Sequence, residues 1–375
     1  MSQVGEAQPP GEARPGQWRQ IAAQSWHAAH PVPALYCVPG VALALLTGLA
    51  LRQPGPAILA TAGAFSVGFG AFQRVSRLHV APMLFAAVVM AIATAIGTVA
   101  SNNTYADAAC VAVAGFILGL GTGFGTAPWW VLLQGAIFLV VSGSIPGDAR
   151  EGFARAGLIL LGGGVQTVIV AILRALAPGG FPPLSAPAAT LHPDTAAEWA
   201  QTARRVVSRP APEWRYGILL GLAAGFAALV QRWLAFPNGY WVPMTVVILL
   251  RRGAAETITR GALRMAGTLL GAGVATVVVA ALRPTEWGLA PLIAIAAWGA
   301  YTLQWVNYGT FSVCVTSYVV FLLSLEGLPE LAVAGHRIVA TLLAGVIAAA
   351  AFAAARVWRR ALAAGRFAST PRAAK

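Results

Sequence analysis

Apolar residues come in long runs along this chain, separated by short breaks rich in Arg, Pro, Gly and Asn. A helix needs about 20 such residues to cross the hydrocarbon core of a bilayer. Read on that scale, the runs predict twelve spanning helices. Six fall in the first half, at 33–51, 56–73, 80–100, 107–125, 128–145 and 154–176. Six more fall in the second, at 215–234, 238–252, 262–282, 287–304, 309–325 and 337–357. The run from Tyr240 to Leu250 is short for a crossing, and the breaks Gly121–Pro128 and Trp305–Gly309 carry no charge. The expected fold class is an all-α polytopic membrane protein, with about 12 transmembrane helices as two six-helix repeats of parallel topology.

The same pattern sets the expected organisation: a cytoplasmic tail over 1–30, a first membrane repeat over 31–177, a linker over 178–214, a second repeat over 215–358 and a tail over 359–375. The linker is rich in Pro and Ala, and Thr195 with Glu198 has the spacing of a capping box that would start a surface helix. Met1 to Gly16 is polar, without the positive, apolar and small-residue succession of a cleaved signal, and is expected to be a disordered tail.

Composition supports a bilayer as the solvent. The chain is 58% hydrophobic and 10% charged, whereas soluble domains carry about 25% charged residues. Its 24 arginines and one lysine sit mostly in hinges and tails rather than in a basic arm, so nucleic acid is not an expected partner. With the N-terminus inside, 19 of these 25 cations fall on the inner side and 6 on the outer, the bias that keeps Lys and Arg in the cytoplasm. Both termini are therefore expected inside. Cys37, Cys110 and Cys314 form no metal-ligand pattern, and no cofactor or metal is expected.

The halves echo each other. Arg155 and Arg174 bracket the sixth run, and Arg337 and Arg356 bracket the twelfth at an offset of 182. Duplicated halves of like orientation occur in secondary transporters, with the pathway at their interface. Phosphate-cradling, zinc-binding and nucleophile-elbow motifs are missing from the sequence, which points away from an enzyme.

The best-marked stretch is Pro237–Gly273. On a helix Arg260, Arg264, Thr268 and Gly271 share one face. Gly267 and Gly271 suit close helix packing. Arg264 then either grips a carboxylate or simply snorkels beside a packing pair. Arg251 and Arg252 read as snorkelling residues, and Trp129 and Trp130 as an interfacial belt. Arg155 and Arg337 each come after acids, Glu151 in one case and Glu330 in the other, which favours structural ion pairs over an outer gate. Gln304, Tyr308, Thr316 and Tyr318 either line a pathway or sit in an aromatic belt. No Asp or Glu lies deep in a predicted span; Asp107 and the others fall at ends or hinges.

The second half, from Tyr240 to Gly345, resembles the FUSC family of bacterial inner-membrane proteins, the fusaric acid resistance and aromatic acid exporter group. The resemblance rests on Tyr240, Trp241, Pro243 and Thr245; on Arg264, Gly267, Thr268 and Gly271; on Asn307, Tyr308 and Thr316; and on Arg337, Thr341 and Gly345. It covers about 110 residues, and the first half lacks the motif: Arg77 has no Gly-Thr after it. The resemblance implies a multi-pass protein of the bacterial inner membrane that exports small aromatic or lipophilic organic acids, with a homo-oligomer or an efflux-assembly partner open. It also implies substrate-pathway roles around Arg264 and a packing role for Gly345. A non-transporting scaffold or accessory subunit is the alternative, favoured by the lack of acids deep in the spans.

Overall fold

The computed structural model describes residues 26, 28–73, 80–177, 196–208, 212–235, 238–327 and 330–368. Within them the chain is helical, without a strand. The first half runs through α1 (Pro31–Leu35), α2 (Val38–Ala50), α3 (Pro54–Gly68), α4 (Ala81–Ala100), α5 (Thr104–Gly121), α6 (Thr126–Ser142) and α7 (Ala149–Leu176). The linker contributes α8 (Ala196–Val207). The second half runs through α9 (Pro212–Leu234), α10 (Trp241–Leu249), α11 (Ala254–Leu282), α12 (Glu286–Leu303), α13 (Tyr308–Ser324) and α14 (Glu330–Ala368).

Local sequence explains where these helices start. Prolines occupy the first turn of α1 to α4, where a missing N–H costs no helical bond. Asn103 caps α5 through the Tyr105 and Ala106 amides, and Asn307 caps α13 through the Gly309 amide. Asp148 and Glu151 close a capping box at α7.

Among the described residues, eight segments are long and apolar enough to cross a membrane: Pro31–Ala50, Pro54–Phe72, Ala81–Ala100, Thr104–Phe124, Ala149–Leu176, Pro212–Leu234, Ala254–Leu282 and Gly335–Val357. The other four runs expected to span form α6 and α13, shorter apolar helices of 17 residues each, α12 with Glu286 in its first turn, and the nine-residue α10. At 1.5 Å per residue α10 is only about 13 Å long. The expected tail from 359 is helical as far as Ala368, as part of α14. At the other end His30 is buried and its amide donates to Thr302 O, so the last residues of the expected 1–30 tail pack on α12. Met1–Gly16, Arg77 and Thr195 lie outside the described residues.

Packing follows one scheme in each half. In the first, α4 lies along α6 and α7, α3 contacts α2 and α7, and α5 meets α6. In the second, α11 lies along α13 and α14, α10 contacts α9 and α14, and α12 meets α13. The halves join where α5 packs on α9 and where α12 packs on α1 and α2; α6 also touches α10.

The α5–α9 joint is built from glycine. A Cβ on Gly119 would stand 2.3 Å from Gly217 Cα, and one on Gly115 would stand 3.0 Å from Gly221 Cα. Lipid gives helices no hydrophobic drive to associate, so close backbone approach supplies much of the cohesion. Gly119→Leu is expected to lower the thermal midpoint of the detergent-solubilised protein and broaden its size-exclusion peak. Gly164→Ala, with nothing within 4 Å of its added methyl, is expected to leave both unchanged or slightly improved.

Candidate functional site

Between the halves lies a cavity of about 1180 Å³. Its walls come from α3, α6 and α7 of the first half and from α9, α10, α11, α13 and α14 of the second. Helix α10 presents Trp241, Met244 and Ile248 to it, one face at helical spacing. Arg232 lines the cavity near the Asp107 end of α5, while Arg251 lines it beside Arg252, which reaches Thr122 past the other end. The cavity therefore runs along most of this 18-residue helix, about 27 Å at 1.5 Å per residue.

Three of its six arginines rest on aromatic rings. The guanidinium carbon of Arg337 stands 4.7 Å from the centre of Trp241, that of Arg260 stands 4.4 Å from Tyr308, and that of Arg251 stands 4.6 Å from Trp129. Arg264 donates from Nη1 to the Tyr308 hydroxyl at 3.3 Å. A guanidinium stacked on a ring is attracted to its face and keeps its N–H edge free for other acceptors.

Six of the ten pathway candidates border this cavity, Tyr240, Trp241, Arg264, Gln304, Tyr308 and Tyr318, as do both arginines expected in ion pairs, Arg155 and Arg337. Tyr318 stacks on Phe65 with ring centres 3.8 Å apart and donates to Thr61 O, and Gln304 donates to Tyr301 O. Pro243, Thr245, Thr268 and Thr316 are buried but do not reach the cavity. Pro243 sits in the first turn of α10, where proline is tolerated.

Gly267 and Gly271 sit against α13: added Cβ atoms would fall 2.6 Å from Gly309 O and 2.5 Å from Val313 O. Gly345 does not pack. It is exposed with nothing within 4 Å, because the neighbouring Ala344 is the residue α14 turns inward.

Two further expectations are corrected, for Arg155 and for Trp129 with Trp130. Arg155 does not pair with Glu151: it donates to Ile145 O at 2.6 Å and Pro146 O at 3.3 Å, and Glu151 is engaged in the α7 capping box. Arg337 is buried inside the cavity wall on Trp241, while the side chain of Glu330 lies outside the described residues. Trp129 and Trp130 are cavity residues rather than a belt, and Arg251 stacks on the first of them.

The sequence reading missed the pairing of Asp107 with Arg232. Asp107 lies in the first turn of α5, 2% exposed, and its Oδ2 accepts from Arg232 Nε at 3.2 Å. Arg232 also donates to Ser101 O and Gly143 O, which end α4 and α6. One side chain from the second half thus ties three helices of the first. The only signal was a lone acid at a helix start and a lone arginine at a helix end, 125 residues apart.

Removing one partner of a buried ion pair strands the other charge, a loss on the order of 3 kcal/mol. Asp107→Ala is therefore expected to lower the thermal midpoint more than the double variant Asp107→Ala with Arg232→Leu, as read by thermal denaturation in detergent.

No curated protein and no solved structure matches the chain. Residues 217–351, from α9 to α14, match the family model described as fusaric acid resistance protein-like. This stretch holds Trp241, Arg264, Tyr308 and Arg337, the residues that place charge and aromatic surface on the second-half wall of the cavity. Together with the membrane-crossing helices, the match makes the chain a multi-pass membrane protein whose second half is similar to the FUSC family.

Proposed function

We propose that the chain is a secondary transporter exporting small aromatic or lipophilic organic acids from the bacterial cytoplasm, with the cavity between its halves as the pathway. The observation that carries this reading is the character of the cavity wall, where arginines rest on aromatic rings and Arg264 faces inward without an acid in ion-pairing range among the described residues. A carboxylate would accept charge-assisted hydrogen bonds from the guanidinium edges, and its ring would lie against Trp241, Tyr308 or Phe69.

The matched packing of α4 with α6 and α7, and of α11 with α13 and α14, supports two repeats of like orientation. In this reading the shorter helices α6, α10, α12 and α13 also cross, which brings the number of spans to twelve. Six crossings per half then return the chain to its starting side. The cation bias of 19 against 6 supports a cytoplasmic position for that side and both termini.

The test is uptake of radiolabelled aromatic carboxylates into inverted inner-membrane vesicles, with and without a proton gradient. Vesicles holding the protein are expected to accumulate at least one acid above vesicles lacking it. Loss of one charge-assisted hydrogen bond corresponds to about a tenfold change. Arg264→Ala is therefore expected to cut initial uptake about tenfold at equal membrane abundance. Uptake no greater than in empty vesicles across the panel would overturn the reading.

A further inference from the structure

We infer that the cavity contains a seat for an aromatic dicarboxylate, with Arg264 holding one carboxylate and Arg337 the other. The inference rests on the transport reading and narrows its substrate class. Arg264 is 7% exposed and Arg337 4% exposed, and both border the same cavity. Each keeps a buried nitrogen without a hydrogen-bond partner, Nε on Arg264 and Nη1 on Arg337. The two are close enough for their charges to interact.

Two like charges buried together and short of acceptors repel each other and lack the hydration they would have in water. What surrounds them does not neutralise them. Arg264 has the neutral Tyr308 hydroxyl, and Arg337 has the face of Trp241. Among the described residues, the paired acids are committed elsewhere: Asp107 to Arg232, Glu256 to Arg251 and Glu213 to Arg252. Glu326 borders the cavity but is exposed and outside ion-pairing distance of either arginine. A monoanion satisfies one guanidinium and leaves the other as it was. A ligand with two carboxylates satisfies both, and the neighbouring ring of Trp241 favours an aromatic body between them.

The experiment compares two probes with the same ring and substitution pattern but different charge, isophthalate and its monomethyl ester, binding to the full chain in detergent at pH 7.5 by isothermal titration calorimetry. Isophthalate is expected to bind at least tenfold more tightly. Arg337→Gln is expected to reduce that ratio to about twofold, and Arg337→Lys to keep most of it. Equal affinities in the wild-type protein would overturn this inference and leave the transport reading standing, and that comparison does not depend on any variant folding. Persistence of the ratio in Arg337→Gln would also overturn it. Failure of both probes to bind would count against the inference and the transport reading together.

Discussion

The structure depends on two helices approaching each other at glycine. Lipid solvates an apolar side chain as well as a protein interior does, so burial alone cannot hold the two halves together. Gly115 and Gly119 on α5 let Gly217 and Gly221 on α9 come within backbone contact. That joint is pinned at both ends. Asp107 and Arg232 close one, and at the other Arg252 meets Thr122 and Glu213 while Arg205 donates to Gly123 O. The second joint, α12 on α1 and α2, is held differently, by Trp298 donating to Pro31 O, and beside it Tyr301 donates to Phe65 O of α3. The cavity is the space left between these two joints.

Polar groups inside this bundle divide into two kinds. Some close the frame: Gln166 donates to Cys37 O, Gln134 to Ser66 O, and Tyr216 to Leu250 O, each stitching one helix to the backbone of another. Others face the cavity with part of their capacity unused, and these are mainly arginines on rings. Satisfied networks hold a helical bundle in one arrangement, whereas exposed donor edges are a cost in the empty protein that an anionic ligand removes. Frame and site therefore call for opposite chemistry from similar side chains.

Much of the frame was legible because helix length and hydropathy are local properties. Runs of 20 apolar residues became helices, and small residues at four-residue spacing on α11 did meet α13. What a side chain faces is not local. Gly345 has the same kind of motif neighbours as Gly271 yet points outward, because α14 turns its Ala344 edge to the bundle. Trp129 looks like a belt residue until Arg251, over a hundred positions away, is seen stacked on it. Arg337 comes after acids in the sequence, which suggested a structural ion pair; that α14 also turns it inward onto Trp241 could not be read there. The Asp107–Arg232 bolt was invisible for the same reason, since each residue alone looks like an ordinary helix-end charge.

The shortness of α10 has an electrical consequence. Its ends, at Trp241 and Leu250, are both buried, so irregular backbone sits within the bundle and needs either protein partners or hydration from the adjoining cavity. A wetted vestibule conducts the bulk potential inward, leaving the insulating layer thinner than the bilayer itself. With the pathway along this cavity, the transmembrane voltage would drop over a distance shorter than the bilayer is thick. An anion carried across the whole of that drop would sense the full field, about 2.3 kcal/mol per charge for each 100 mV.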